Sequence, residues 1–251
     1  MIAIGVIPAR FGSTRFVGKP LSKILGKPMI QWVYEGARTS RLLSGLFVAT
    51  DDKRIKEAVK LFGGEAVLTS PSHPSGTDRV AEVARKIKCD VVVNIQGDEP
   101  LIQGKMVDRL IEAFEDRRVD MATLAAPLEE LENFWNPNVA KIVCTNDDFA
   151  LYFSRSPIPY FRDVSEPKRG GKIPAGVLQH VGVYAYRKKM LLEFVKNPPT
   201  FLELSEKLEQ LRALELGFKI KIIRIDKPLV GVDEKKDIKK VENILKGKGH
   251  T

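Results

Sequence analysis

Ile2-Ala3-Ile4-Gly5-Val6-Ile7-Pro8-Ala9-Arg10-Phe11-Gly12-Ser13-Thr14-Arg15-Phe16-Val17-Gly18-Lys19-Pro20 is the stretch that decides how this chain is read. Ile2 to Ile7 is an apolar run of the length of a buried strand. Behind it, Gly12, Ser13 and Gly18 alternate with three cations, Arg10, Arg15 and Lys19. Glycine and serine let backbone N–H groups approach a ligand closely, and fixed cations neutralise phosphate. A loop of this kind, leaving the C-terminal end of a first strand, is where an α/β sheet binds nucleotides. Neither common phosphate motif is present, because Gly18-Lys19 runs into Pro20 and Gly12 is not spaced for G-x-G-x-x-G. Taken one at a time these residues read better as a basic surface loop; their density behind a strand predicts phosphate binding.

Outward from that loop the pattern alternates strand and helix, as a doubly wound sheet does. A helix is expected from Pro28, with Ile30, Val33, Tyr34 and Ala37 facing inward, followed by a strand over 46–50. Asp52 is placed to cap the next helix, which Gly63-Gly64 ends before a strand over 66–68. The polar loop 70–79 then leads to a helix with Val80, Val83, Ala84 and Ile87 on one face, capped by Thr77 or Asp78. Ser75, Gly76 and Arg79 either belong to that cap or offer small hydrogen-bonding groups and a cation beside the first loop. Asp90 to Gln96 is apolar at nearly every position, as a central strand is, and ends in Gly97-Asp98-Glu99-Pro100. Asp98 either caps a helix, from which Pro100 to Gly104 separate it, or binds Mg²⁺, a cation that takes carboxylate and phosphate oxygens. Glu99 is expected to brace the loop.

The second half departs from strict alternation. Val119 to Pro127 reads as a strand, 128–138 as irregular, and 139–145 with 149–153 as a hairpin. This predicts a smaller antiparallel insertion over 139–186 within a single domain, 1–251. The charged stretch 162–172 reads as a mobile lid or a subunit contact. Leu178 to Tyr186 alternates, which puts His180, Gly182 and Tyr184 on one face. His180 is there either a satisfied core residue or a substrate contact. Thr200 to Leu216 predicts one helix, with Leu204, Leu208 and Leu211 buried and Glu209 and Gln210 off that stripe. Asp233 either caps the last helix or supplies a second metal carboxylate.

Bulk properties narrow the classes. At 43% apolar and 29% charged the chain is an ordinary soluble globule. The net charge of +9, from 41 basic and 32 acidic residues, is compatible with nucleic acid, an acidic membrane surface or small anionic substrates. The basic residues are spread along the chain, with no basic helix interleaved with aromatics, so small anions are expected and nucleic acid and membrane are not. No run approaches the length of a membrane span, and Cys89 and Cys144 are not in a metal-type pair. A cytoplasmic protein with buried, reduced thiols is expected.

The segment I-P-A-R-x-x-S-T-R-x-x-G-K-P resembles the signature loop of the sugar nucleotidyltransferases, in the form found in the family that activates 3-deoxy-D-manno-octulosonate (Kdo). S-G-T-D-R, Q-G-D-E-P, Q-H-V-G-V-Y, E-x-x-E-Q-L-R and G-V-D follow in order, so the resemblance spans nearly the whole chain. Phe16-Val17 stands where the family usually carries Leu-Pro, leaving Arg15 and Lys19 in register. The resemblance implies a Rossmann-like nucleotide-diphospho-sugar transferase fold, a mostly parallel mixed sheet flanked by helices. It implies the reaction CTP + Kdo → CMP-Kdo + diphosphate, serving lipopolysaccharide synthesis, with Mg²⁺ as cofactor. It further implies catalytic roles for Arg10, Arg15, Lys19 and Asp98, nucleotide contacts from Pro8, Ala9, Arg10, Ser13, Lys19, Ser75, Gly76, Arg79 and Asp98, and metal binding by Asp98 and Asp233. Gln96, His180, Tyr184, Glu209 and Gln210 are implied as sugar-acid contacts, and a homodimer is implied near Tyr152–Asp163. Two alternatives remain at this level: CMP transfer to a sialic acid or an amino-Kdo, and a non-catalytic nucleotide- or nucleic-acid-binding protein.

Overall fold

The structure, a computed structural model, describes residues 1–12, 16–162, 173 and 176–247 of the chain. In chain order it runs through β1 (Ala3–Ala9), the short strands β2 (Lys23–Ile24) and β3 (Lys27–Pro28), α1 (Met29–Arg38), β4 (Leu43–Thr50), α2 (Lys53–Leu61), β5 (Glu65–Leu68), α3 (Gly76–Lys86), β6 (Val91–Asn94) and α4 (Gly104–Glu112). It continues with β7 (Met121–Pro127), α5 (Leu131–Trp135), β8 (Lys141–Cys144), β9 (Ala150–Ser154), β10 (Leu178–Arg187), α6 (Lys188–Phe194), α7 (Phe201–Glu206), α8 (Gln210–Glu215), β11 (Ile220–Arg224) and α9 (Lys235–Gly247). Two compact units result. Unit 1 is Met1–Glu112, Ala185–Val195 and Leu229–Thr251; unit 2 is Ala113–Tyr184 and Lys196–Pro228. The second unit is wider than the stretch 139–186 marked out from sequence.

Unit 1 is built on the strand order β6-β1-β4-β5. All three pairings are parallel, and Pro8 and Ala9 at the end of β1 lie beside Ala49 and Thr50 of β4. Parallel strands are covered on both faces, which is why β1 and β6 carry unbroken apolar runs and bury Ile4, Val6, Ile7, Val91, Val92 and Val93. Helix α1 packs against β1 and β4, α2 against β4 and β5, and α3 against β1, β4 and β6. Asp52 caps α2 as expected, accepting from the Arg54 backbone N–H at 2.8 Å. The cap of α3 differs from the expectation of Thr77 or Asp78. Ser75 holds the extended backbone that a cap needs and accepts from the Asp78 N–H at 3.1 Å, so Thr77 is already inside the helix.

Unit 2 has the order β11-β7-β10, with β11 parallel to β7, and β8 antiparallel to both β10 and β9. The predicted β8–β9 hairpin is present. Residues 128–138, read as irregular, contain α5, because Phe134 is drawn into a cluster with Leu128 and Val177. The single helix expected over 200–216 is broken in two. Lys207 adopts a left-handed conformation with φ 53°, which ends α7 and resets the helical phase for α8. Leu204 is therefore exposed, while Gln210 is only 2% exposed. Of the charged stretch 162–172, all but Arg162 lies outside the described residues. Cys89 is buried and Cys144 half-buried, both as free thiols.

Candidate active site

The loop after β1 is tethered at both ends. The Gly18 N–H donates to the Phe11 carbonyl at 2.9 Å, and Gly18 takes φ 70°, a region that glycine enters without strain. A side chain there would also press on the Phe11 ring. The Arg54 guanidinium lies 3.4 Å from the centre of that ring and forks onto Asp52 at 3.0 and 2.6 Å. Phe16 is buried with Ile24, Met29, Trp32 and Val232, so the departure at Phe16-Val17 supplies an apolar anchor. Arg10 is exposed beside the nearly buried Ala9, whereas Ser13 and Arg15 lie outside the described residues.

Lys19 opens a short 3₁₀ turn that seats Pro20 in the interior. Its ammonium donates to Asp98 Oδ2 at 2.5 Å and to the Val232 carbonyl at 3.1 Å. The Val232 N–H in turn donates to the Asp98 carbonyl at 2.9 Å, so the G-V-D segment is laced to the loop that follows β6. Glu99 is enclosed here. Burial first, and then the charges of Asp98 and Asp233, push its carboxyl up to about 8 despite the opposing pull of Lys19. Its Oε2 has no hydrogen-bond partner among the described residues. Asp233 does not cap α9; instead Asp237 accepts from the backbone N–H groups of Asp233 and Glu234.

Among the described residues no group of three or more His, Cys, Asp or Glu is placed to hold a metal by itself. Asp98 and Asp233 nevertheless fit Mg²⁺, because this hard cation is commonly bound by one or two carboxylates plus substrate phosphates. Asp98 and Asp233 each add to the rise of Glu99, so both carboxylates lie within electrostatic reach of it.

The other residues expected to contact the nucleotide lie around β1. Gly76 approaches Pro8, and Gly97 lies so close to the Pro8 carbonyl that a Cβ would stand 2.9 Å from it. The Gln96 amide donates to Asn94 Oδ1 and the Asn94 amide to Thr77 Oγ1, both at 3.4 Å, which links the end of β6 to the start of α3. Arg79 needs a correction. Its side chain is completely buried, donating to Thr69 and, at 2.9 Å, to Asp51. It therefore ties α3 to the residues that follow β4 and β5 from within, and does not present a free guanidinium to a base. Sequence reading missed these partners, although Thr50-Asp51-Asp52 at a strand end was a signal for at least one of them.

Unit 2 holds a separate polar cluster. His180 Nε2 lies 3.0 Å from Thr123 Oγ1, a hydroxyl also within reach of the Val181 and Val183 carbonyls at 3.3 and 2.9 Å. With its proton on a carbonyl the threonine oxygen accepts from Nε2–H of His180; with its proton on the ring, Nε2 is the acceptor. Burial pushes the imidazole down to about 3, so it is neutral at physiological pH. The Tyr184 ring packs 5.3 Å from that of His180, and its hydroxyl donates to Gln210 Oε1 at 3.1 Å. Burial, and secondly the Glu209 charge, raise the Tyr184 phenol. Gln210 Nε2 is a buried donor with no partner among the described residues. Glu209 stands at the start of α8. The structure thus brings His180, Tyr184, Glu209 and Gln210 together, while Gln96, expected with them, lies in unit 1.

The mostly parallel α/β sheet flanked by helices is the fold of the nucleotidyltransferases. The chain belongs to the cytidylyltransferase family, whose model matches residues 4–222. It is 48% identical over 250 residues to a 3-deoxy-manno-octulosonate cytidylyltransferase of Trichlorobacter lovleyi, covering 98% of this chain and 99% of that one. It is 49% identical to the protein of the same name in Bdellovibrio bacteriovorus, over 99% of this chain and all of the other. A solved CMP:2-keto-3-deoxy-manno-octonic acid synthetase complexed with CTP is 40% identical and superposes with a TM-score of 0.91, covering 99% of this chain and 100% of that one. A 4-diphosphocytidyl-2C-methyl-D-erythritol synthase from Anaerococcus prevotii, at 12% identity and a TM-score of 0.63 over 98% of each chain, shares the fold.

Proposed function

We propose that this chain transfers CMP from CTP to Kdo, releasing diphosphate, and so supplies activated Kdo for lipopolysaccharide. The observation that carries the reading is full-length likeness to Kdo cytidylyltransferases. The reaction is placed in the cytoplasm. In it the anomeric hydroxyl attacks the α-phosphorus in line, and the bond to diphosphate breaks on the opposite side. Positioning and charge neutralisation are the protein's main contributions. Arg10, Arg15 and Lys19 hold the triphosphate and stabilise the leaving diphosphate. Pro8, Ala9, Ser13, Ser75 and Gly76 face the nucleotide, with Arg79 bracing their loops from below. Asp98 and Asp233 would hold Mg²⁺, which when bound polarises the α-phosphate and lowers the pKa of the attacking hydroxyl. His180 hydrogen-bonds a sugar hydroxyl, while Gln96, Tyr184, Glu209 and Gln210 complete the hold on the sugar acid.

The test is diphosphate release with each common nucleoside triphosphate and with Kdo, an amino-Kdo or a sialic acid. Release with CTP and Kdo alone fixes base and acceptor together; release with CTP and another acid keeps the chemistry and replaces the acceptor. No release with any pair gives way to a non-catalytic binding protein. A homodimer through the region around Tyr152–Asp163 belongs to the same proposal. It is supported by Leu151 and Tyr160, which are 60% and 88% exposed. Tyr160→Asp should halve the mass seen by light scattering, whereas a wild-type monomer would remove the proposal.

A further inference from the structure

Lys19 occupies a specific electrostatic position. Its ammonium bridges Asp98 Oδ2 and the carbonyl of Val232, the residue immediately before Asp233. One side-chain cation thus holds the Asp98 carboxylate directly and the backbone immediately before Asp233. That cation is held from a rigid base: Leu21 N–H donates to the Gly18 carbonyl and Ser22 N–H to the Lys19 carbonyl, which fixes the backbone of the turn. The ammonium itself rides on a flexible four-carbon stem. It can leave without disturbing the turn, provided another anion receives it.

We infer that Lys19 acts as a stand-in cation that keeps Asp98 from taking a divalent metal until a nucleotide triphosphate arrives. A dication approaching Asp98 meets an ammonium already on the oxygen it needs, and like charges at that separation repel strongly in a partly enclosed site. A triphosphate changes both terms. It gives Lys19 a more highly charged partner, freeing Asp98, and it brings phosphate oxygens that fill the remaining metal positions. Metal and CTP therefore load together. This rests on the reading that Asp98 and Asp233 are the metal carboxylates.

Mn²⁺, followed by the loss of its free electron paramagnetic resonance signal, tests the inference on the full chain without nucleotide. Lys19→Gln and Lys19→Met should each bind Mn²⁺ at least about tenfold more tightly than wild type, and adding Asp98→Asn to either should abolish the gain. Lys19→Arg, which keeps a cation, should stay as weak as wild type. Two neutral variants guard against one that fails to fold, which a melting curve reveals. Water proton relaxation of the Mn–CTP–protein complex separates the two layers. If Asp98→Asn alters that signal but the neutral variants bind Mn²⁺ no better than wild type, the metal ligand stands and the gating role is overturned. If Asp98→Asn leaves the ternary signal unchanged, the ligand assignment fails and the inference fails with it.

Discussion

At the scale of single residues, burial decides what the polar groups can do. His180, half-buried in the sheet, is desolvated enough to lose its charge, since its folded pKa is pushed down to about 3. The unfolded chain binds one more proton on this side chain between that value and the ordinary imidazole pKa of about 6.5. The stability it contributes is fully present above about pH 6.5 and is lost as pH falls toward 3. One proton corresponds to about 1.4 kcal/mol per pH unit. Urea unfolding at pH 7 and pH 5 should therefore show wild type losing up to about 2 kcal/mol more than His180→Gln. Equal losses would mean that His180 is solvated. The same logic reassigns Arg79. In a sequence it is simply a cation near a phosphate loop, and only three dimensions show it consumed by Asp51 and Thr69.

At the scale of elements, two local devices position the site residues. The first is the stack of Arg54 on Phe11, which links α2 to the base of the loop after β1. An exposed cation–π contact contributes about 0.5–1 kcal/mol. Arg54→Ala should accordingly weaken CTP binding a few-fold in calorimetry, and the Michaelis constant for Kdo should stay unchanged. The Asp52 cap survives in that variant because it accepts from the Arg54 backbone. An equal loss for both substrates would point to a general loss of folding. The second device is the break at Lys207, where φ 53° sets the phase of α8. A left-handed conformation costs a β-branched residue about 1–2 kcal/mol or more, and glycine almost nothing. Lys207→Val, more strained there than lysine, should lower unfolding stability and raise the Michaelis constant for Kdo, whereas Lys207→Gly should leave that constant near wild type and unfold no more easily. If Lys207→Val binds Kdo normally, the break has no part in placing Gln210.

These devices also mark the limit of what the sequence discloses. The strand–helix alternation of unit 1 is legible because parallel strands buried on both faces must be apolar throughout, as in Ile2 to Ile7 and Val91 to Val93. The β8–β9 hairpin is legible from its polar turn. The break in 200–216 is not, since a lysine in the left-handed region carries no composition signal and Leu204, Leu208 and Leu211 mimic a continuous stripe. For that reason Gln210 reads as a solvated face residue when it is in fact a buried donor. Phe16-Val17 similarly reads only as a departure from the usual Leu-Pro, while packing turns Phe16 into an anchor.

At the scale of the whole chain, the proposed substrates divide their contacts by unit, with Gln96 of unit 1 the exception on the sugar side. Pro8, Ala9, Lys19, Gly76, Asp98 and Asp233 belong to unit 1; His180, Tyr184, Glu209 and Gln210 belong to unit 2. Each group is stiffened by its own local network, the Asp98–Lys19–Val232 lacing in one and the Thr123–His180 and Tyr184–Gln210 bonds in the other. Ligand binding lowers local opening in proportion to the contacts it adds. Amide hydrogen exchange should therefore separate the two ligands. With CTP alone, protection should rise in the loop after β1 and at the start of α3. With Kdo alone it should rise in β10 and at the start of α8. At a ligand concentration of 100 times its dissociation constant the gain is about 2.7 kcal/mol, roughly a hundredfold slowing of the amides that exchange through opening of the site. CTP that protected α8 while leaving the β1 loop unchanged would reverse the division of labour, moving the triphosphate from unit 1 to unit 2.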